Sequence, residues 1–230
     1  MKNYIRINGE KVALTDVQAK DFRFSRNPLA NLIASLRNGK IHDFYYLRDT
    51  ITVGDYELEI IGFNHDKNAN DANAPTITVM AKKLLEYRRL HSGMCERGWI
   101  DTELREWLNC EFINQLPKEL VEYICPVMKK THNSHGELYE TRDRLFVPAE
   151  SELFGSAIYS GYEDGQRYAA FATSQDRVRL DENGHSEWYW TRSFYRGNPS
   201  NAAYVHSCGY AYCLSASLTS VRAPLCFTLA

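Results

Sequence analysis

The order of segments along this 230-residue chain predicts an α+β fold. Three observations carry that expectation. β-Branched, alternating runs cluster between residues 50 and 85. Apolar stripes at helical spacing follow between residues 99 and 124. A last series of short strand-like runs begins near residue 187, broken by turn residues. Strands, then helices and loops, then strands again is not the regular β-α-β alternation that builds a parallel sheet.

Taken in order, YIRINGEKVAL over residues 4–14 alternates about an Asn-Gly pair, the signature of a small hairpin. NPLANLIASLRNG follows. Asn27 is placed to cap a helix, Pro28 suits its first turn, and Gly39 marks its exit. Leu29, Leu32, Ile33 and Leu36 share one face of that helix, which must pack on the main body or on a second copy of the chain. TITVGDYELEIIGFNHD from residue 50 predicts two strands or one bent strand, and TITVMAKKLL over 76–85 another, with the polar loop NANDANAP between them. WIDTELREWLNCEFINQL places Leu104, Trp107, Leu108, Phe112 and Ile113 on one stripe, with Asp101 or Thr102 as the cap. Pro117 opens a second helix in which Leu120, Val121 and Ile124 face inward. KKTHNSHGELYETRD is expected to be a loop, and RLFVPAESELFG a strand turning into a helix. Residues 156–187, rich in Gly, Tyr and charge, suggest a long surface excursion. EWYWTRS, AAYVHS, YAYCLSAS and VRAPLCFTL predict the closing strands, with Gly-Asn-Pro and Cys-Gly turns.

Composition narrows the function classes. A chain that is 44% hydrophobic and 24% charged is an ordinary globular one, long enough to bury a core without staples. A net charge of -2 provides no electrostatic footprint for nucleic acid or an anionic membrane. No run approaches the length of a membrane span, and the N-terminus lacks the apolar stretch of a secretory leader, so synthesis in the cytoplasm is expected. The six cysteines, at 95, 110, 125, 208, 213 and 226, show no scaffold or zinc spacing and are expected to stay reduced.

Familiar chemistry is sparse. There is no phosphate-cradling Gly-rich loop, no nucleophile elbow and no H-E-x-x-H. His132 and His135, with Glu137 nearby, offer ligand atoms, but a three-residue spacing in a polar loop suits solvated histidines better than a metal site. Asp66, Asn68, Asn70, Asp71 and Asn73 cluster oxygen atoms at spacings that match no calcium loop and are explained by turn chemistry. Trp188, Tyr189 and Trp190 form a dense aromatic run that would suit stacking on a sugar, although alternation would bury both tryptophans on one core face. No cofactor or metal is expected.

The tail carries the strongest signal. Residues 191–230 contain no Lys, Glu, Gln, Met or Trp, whereas the preceding 190 residues hold 39 of these types. None of the five can be encoded by a codon ending in C, and every residue in the tail can. Randomising the first two bases of AAC-like codons would yield this composition, rich in Tyr, Ser, Asn, His, Cys, Gly and Ala. Tyr, Ser, Asn and Gly are also what a binding surface uses, because they combine rigid aromatic area with short hydrogen-bonding groups.

Four ordered motifs add a resemblance. They are GW-x-x-x-x-LR-x-WLN-x-x-F from Gly98 to Phe112, RLFVPAESELFG over 144–155, YWTRS over 189–193 and VRAPLCFTL over 221–229. The chain resembles, over roughly residues 50–230, an uncharacterised domain family of gut bacteria and their phages. The usual pattern there is a Trp-led helix, D-x-LF-x-PS-x-x-E-x-FG, YWLRS and a closing GVRPAF-x-L. Ser220-Val221-Arg222-Ala223-Pro224 departs from that closing pattern. Such domains are similar in turn to the C-type-lectin-like fold of formylglycine-generating enzymes and of the variable proteins of diversity-generating retroelements, whose C-terminal strands are rewritten at template adenines.

The resemblance implies a C-type-lectin-like domain over residues 48–230, preceded by an extension over 1–47, with a variable region at about 191–222. It implies recognition of a protein or cell-surface target, with a phage or virion setting; the Leu29/Leu32/Ile33/Leu36 face of the extension, outside the resemblance, suggests a homo-oligomer. The expected contact residues are Tyr195, Asn198, Asn201, Tyr204, His206, Ser207, Tyr210, Tyr212, Ser215 and Ser217, with Tyr210 and Tyr212 on one strand face. YW-x-RS and Arg222 then belong to the framework, the arginines bonding strand carbonyls through their planar forks. One alternative is a fixed phage structural protein without diversity. The other is a copper-thiol oxidase using Cys208 and Cys213, whose C-x4-C spacing matches the thiol pair of formylglycine-generating enzymes; thiolates suit Cu(I).

Overall fold

A computed structural model describes residues 4–7, 10–13 and 27–230. The chain is mixed α and β, built mostly of small antiparallel sheets with a few short helices. Strands β1 (Tyr4–Ile7) and β2 (Glu10–Ala13) pair antiparallel as the Asn-Gly pattern predicts, while the Asn8-Gly9 turn itself lies outside the described residues.

Helix α1 (Pro28–Arg37) starts where the sequence places it. The Asn27 side chain accepts a hydrogen bond from the Ala30 N–H, and Pro28 occupies the first turn. Leu29, Leu32, Ile33 and Leu36 are buried in the same apolar cluster as the sheet below them, and the Arg37 guanidinium donates to the Ala230 carbonyl. The face proposed to join two copies is therefore covered by the chain itself. A short helix α2 (Ile41–Phe44) follows.

The principal sheet has six strands. β3 (Thr50–Val53), β4 (Tyr56–Phe63), β5 (Ile77–Ala81), β15 (Cys226–Leu229) and β6 (Ile124–Cys125) lie in that order, and β9 (Leu145–Phe146) also pairs with β15. Every pairing is antiparallel. The last strand thus sits in the middle of the sheet, with β5 on one edge and β6 and β9 sharing the other. All four of its residues are buried, so the end of the chain closes the core. A single-turn 3-10 helix (Gly98–Asp101) leads into α3 (Glu103–Cys110), which Thr102 caps through its hydroxyl to the Arg105 N–H. Leu104, Trp107, Leu108, Phe112 and Ile113 are all buried, as the stripe predicts. Helix α4 (Lys118–Val121) leads into β6.

Two expectations are corrected. Residues 129–143 are not a loop. They belong to a hairpin of β7 (Val127–His132) and β8 (Leu138–Asp143), and the inward positions of β7 alternate through Val127, Lys129 and Thr131. A lysine at a core-facing position hid that alternation. Residues 156–187 are not a surface excursion either. Tyr168 and Phe171 are fully buried there, and α6 (Ser174–Arg177), β10 (Arg179–Leu180) and β11 (Ser186–Glu187) lie within it. Between them and β9, α5 (Glu150–Phe154) ends at Gly155 in the left-handed region.

The remaining sheet has three strands, β12 (Tyr189–Tyr195), β13 (Asn198–Val205) and β14 (Ala211–Ser215). The β13–β14 turn passes through Gly209, whose φ is +79°. A Cβ there would lie 1.9 Å from the Ser174 carbonyl oxygen. Gly209→Ala is expected to lose roughly 2–4 kcal/mol of stability, because backbone must move to relieve the clash. A urea titration checks this: a midpoint unchanged within error would mean that the turn does not rest on α6.

Candidate recognition surface

Register places the tyrosines. Trp190 on β12 stands opposite Tyr204 on β13, which stands opposite Tyr212 on β14, so the three share one face. That face is graded from core to solvent. Trp190 is fully buried and donates its indole N–H to the Arg88 carbonyl, Tyr204 is 4% exposed, and Tyr212 is 45% exposed. Trp188 and His206 complete a patch. Ring centroids are 5.3 Å apart for Trp188–Tyr204, 5.1 Å for Trp188–His206, 5.3 Å for His206–Tyr212 and 6.1 Å for Tyr204–Tyr212. These spacings are those of offset and tilted aromatic pairs.

Tyr204 is therefore not a contact residue. It is the buried support on which Tyr212 rests, and its place in the sequence-derived contact set is a correction. Trp188 is another: it is half-buried at the edge of the patch, and Trp190 alone enters the core. Tyr210 is the most exposed of the tail's tyrosines, at 58%, and sits just before β14. Its turn is held from within by the His206 N–H on the Tyr210 carbonyl and the Gly209 N–H on the His206 carbonyl. From below, the Arg177 guanidinium donates to the Gly209 carbonyl.

Of the other expected positions, Asn201 and Ser215 stand opposite each other on the face of the sheet away from Tyr212. Tyr195 is exposed at the end of β12, with its ring 6.3 Å from that of Tyr159. Asn198, Asn201, His206, Ser207 and Ser215 are half-buried and Ser217 is exposed. Asn198 accepts the Ser200 N–H, and the Ser215 and Ser217 hydroxyls are 2.9 Å apart. Residues 197–221 contain no Lys, Arg, Asp or Glu, so this segment of the surface is aromatic and hydroxylic, with His206 as its one imidazole. Beside it opens a cleft of about 550 Å3 walled by Tyr87 and Trp188 and bordered by Glu187, Thr219 and Ser220.

The two thiols of the C-x4-C pair are placed differently. Cys208 is exposed in the β13–β14 turn, its sulfur 3.0 Å from His206 Nδ1. Cys213 lies within β14 opposite Ala203, adjacent to Tyr212, so alternation turns it to the other face of the sheet. Burial pushes the Cys213 thiol up, with the Glu150 carboxylate adding to the effect. Among the described residues, all six cysteines are unpaired.

A second cluster, which sequence reasoning missed, lies beneath the sheet. Glu152 on α5 accepts two guanidinium bonds from Arg192 on β12, at 2.5 and 3.1 Å, and one from the Lys129 ammonium at 3.0 Å. Lys129 also donates to Asp66 at 2.5 Å and to the Tyr168 hydroxyl at 3.0 Å. The other Asp66 oxygen accepts from the Thr78 and Tyr168 hydroxyls. Arg192 completes its fork on the Thr131 hydroxyl and the Val147 and Asp164 carbonyls, which lie outside the strands. Two carboxylates and two cations balance, and the donors of both cations are engaged.

Burial alone pushes the Asp66 carboxyl up, but Lys129 beside it outweighs burial and holds it at about 2. Burial likewise opposes ionisation of Glu152, and Arg192 and Lys129 together keep its carboxyl below the usual range. His65, Asp66 and Glu152 lie close enough to share an ion. Lys129 and Arg192 already neutralise both carboxylates, so a metal would have to displace a buried cation.

The expected loop groups resolve in the same way. His132 ends β7, binds Asp164 through Nδ1 at 2.7 Å and stacks on Tyr162, so it is not a solvated loop residue. His135 is exposed and faces Glu96 at 3.3 Å. Asn68 and Asp71 each accept a backbone N–H two residues on, as turn chemistry predicts. Arg222 bonds the Leu85 carbonyl and Glu182, in line with a framework role.

Residues 75–228 match the model of a family described as Domain of unknown function (DUF6273). No curated protein and no solved structure matches the chain.

Proposed function

We propose that this chain, which belongs to the DUF6273 family, is a recognition protein whose binding surface is the edge strand β14 with the turns and exposed ends of β12 and β13, diversified by a retroelement. The observation that supports it best is the exposure of Tyr210 and Tyr212 in a segment free of charged side chains, with Tyr195 exposed just before it, next to buried, fully bonded framework residues such as Arg192. Rigid rings standing on a fixed base suit binding, because little entropy is lost when they are covered. The absence from residues 191–230 of every residue type that lacks a C-ending codon supports diversification.

The finer fold reading, C-type-lectin-like, belongs to the same proposal. It is supported by the four ordered motifs and by a layout in which the last strand closes the main sheet while a separate three-stranded sheet carries the variable positions. The target would be a protein or a cell-surface polymer, with synthesis in the cytoplasm and association with a virion. None of the described helices is long and apolar enough to cross a membrane.

Sequencing the 3′ end of the gene with its flanking DNA across a natural population tests this reading. Substitutions are expected at the exposed and half-buried positions Tyr195, Asn198, Asn201, His206, Ser207, Tyr210, Tyr212, Ser215 and Ser217, matched to adenines in a nearby template repeat. The buried residues Arg192, Ala202, Ala203 and Val205 are expected to stay constant. An invariant tail with no template repeat would leave a fixed structural protein instead.

A further inference from the structure

We infer that the partner is a protein and that it binds by adding an extended strand to the free edge of β14; this rests on the recognition reading above. The two edges of the three-stranded sheet differ. Along β12, the Trp190 N–H donates to the Arg222 carbonyl and the Arg192 N–H to the Pro148 carbonyl, and the register with β13 shifts twice. That edge is covered and bulged. Along β14, the register with β13 is unbroken from Ala211 to Ser215, and among the described residues no further strand or bridge pairs with it.

The ladder decides which groups of β14 face outward. The His206 N–H donates to the Tyr210 carbonyl, and the Ala216 N–H to the Ser200 carbonyl, so both ends of the β13–β14 ladder are hydrogen-bonded pairs. Bonded and non-bonded pairs alternate along an antiparallel ladder. Tyr212 and Leu214 therefore aim their N–H and C=O groups at β13, whereas Ala211, Cys213 and Ser215 aim theirs away from it. The Ser215 carbonyl accepts the Leu218 N–H. The N–H and C=O of Ala211 and Cys213, and the Ser215 N–H, have no hydrogen-bond partner among the described residues.

This row of donors and acceptors repeats every second residue, at about 7 Å. An extended polypeptide repeats the complementary groups at the same interval, which selects a protein partner over a polysaccharide. Edges that must stay free usually carry Lys, Pro, a bulge or an inward charge. AYCLS over residues 211–215 has none of these. Tyr212 and Leu214 share one face beside the row and would line the sites for alternate side chains of the added strand. Main-chain pairing does not depend on side chains, so it survives substitution at Tyr212 and Ser215, which the recognition reading expects to vary. The side chains then choose among strands. A second copy of the chain would bring only the same short row, whose few main-chain bonds are too weak to hold a stable dimer.

The test is a displayed library of random peptides, each long enough to form a strand, panned against the full chain, with bacterial cell-wall polysaccharide as a second probe. Recovered peptides are titrated against Cys213→Pro and Tyr210→Ala. Proline at 213 removes an outward N–H and no bond to β13, so this variant is expected to melt like the parent. Ala211→Pro is the second variant if it does not, and N-methylation of the peptide, one residue at a time, reads the same ladder from the other side. The expected result is a peptide that Cys213→Pro holds about ten-fold or more weakly and that loses binding when methylated at every second residue only. A peptide indifferent to the proline variants and to the methylation phase, but lost in Tyr210→Ala, overturns the edge and leaves the recognition reading standing. Binding to the polysaccharide alone overturns the protein class and also leaves that reading standing. A dimer of the free chain that Cys213→Pro abolishes assigns the edge to a second copy and overturns the inference. Recovery of no peptide overturns it too, and the recognition reading then rests on the population sequencing.

Discussion

Glu152→Ala is expected to destabilise the chain by about 3–5 kcal/mol, the range for breaking a buried ion pair from one side. The carboxylate is buried at 3% exposure and joins Arg192 to Lys129. Without it, Lys129 keeps only Asp66 as a bonded carboxylate and Arg192 keeps none. A urea titration with an unchanged slope and a lower midpoint would measure the loss. Pairing Glu152→Met with Arg192→Met removes both ends of the strongest contact, so the double variant should lose clearly less than the sum of the single ones. Additive losses would show that the two residues act separately, and the balanced-cluster account would fail.

Acid reports on the same cluster. Asp66 is held at about 2 against an ordinary value of 3.8, and Glu152 is also held low. A carboxyl depressed in the folded state contributes stability that is present above its unfolded value and lost as pH falls through the folded one. Stability should therefore decline between about pH 4 and pH 2, and less steeply in Asp66→Asn.

How much of this was legible in the sequence follows from what each residue faces. The stripe through Leu104, Trp107 and Leu108 and the Asn27 cap were readable because helical period and capping are local. β7 was missed because Lys129 and Thr131 occupy inward positions where apolar residues signal a strand. Their burial makes sense only beside Asp66, Glu152 and Arg192, which come from three distant segments. A trace of the cluster was present, since two of the ordered motifs, PAESELFG and YWTRS, carry charges inside an apolar frame, Glu150 and Glu152 in the first and Arg192 in the second. Glu152 and Arg192 meet. Tyr204 was misplaced for a related reason: one tyrosine looks like another until Trp190 and Tyr212 on the neighbouring strands show how deep it sits. The extension was read as a separate piece because its motifs are absent from the family pattern. Yet α1 packs into the cluster that β3, β4 and β15 share, so the segment matched over 75–228 borrows part of its core from residues before it.

Tyr210→Ala and Tyr212→Ala should separate binding from folding. Both rings are largely in solvent, at 58% and 45% exposure, so each truncation is expected to change stability by no more than about 0.5 kcal/mol. Each should cost about 2 kcal/mol or more of affinity, near thirty-fold, because exposed tyrosines on a preformed base are where binding energy concentrates. Tyr204→Ala is the control within the same face. At 4% exposure, packed between Trp188 and Tyr212, it should lose about 3 kcal/mol or more of stability. Thermal melts of the three variants, paired with titrations against a cell-surface target that the parent chain retains, measure both axes. If the two exposed variants unfold, the rings are core and the surface is not one. If they fold and bind as the parent does, recognition lies elsewhere and the aromatic patch is only the outer layer of the sheet. The expected pattern, two variants that lose affinity and a third that loses stability, follows from one geometric fact. A single row of rings runs from the core to solvent across three strands, and only its outer end is free to meet a ligand.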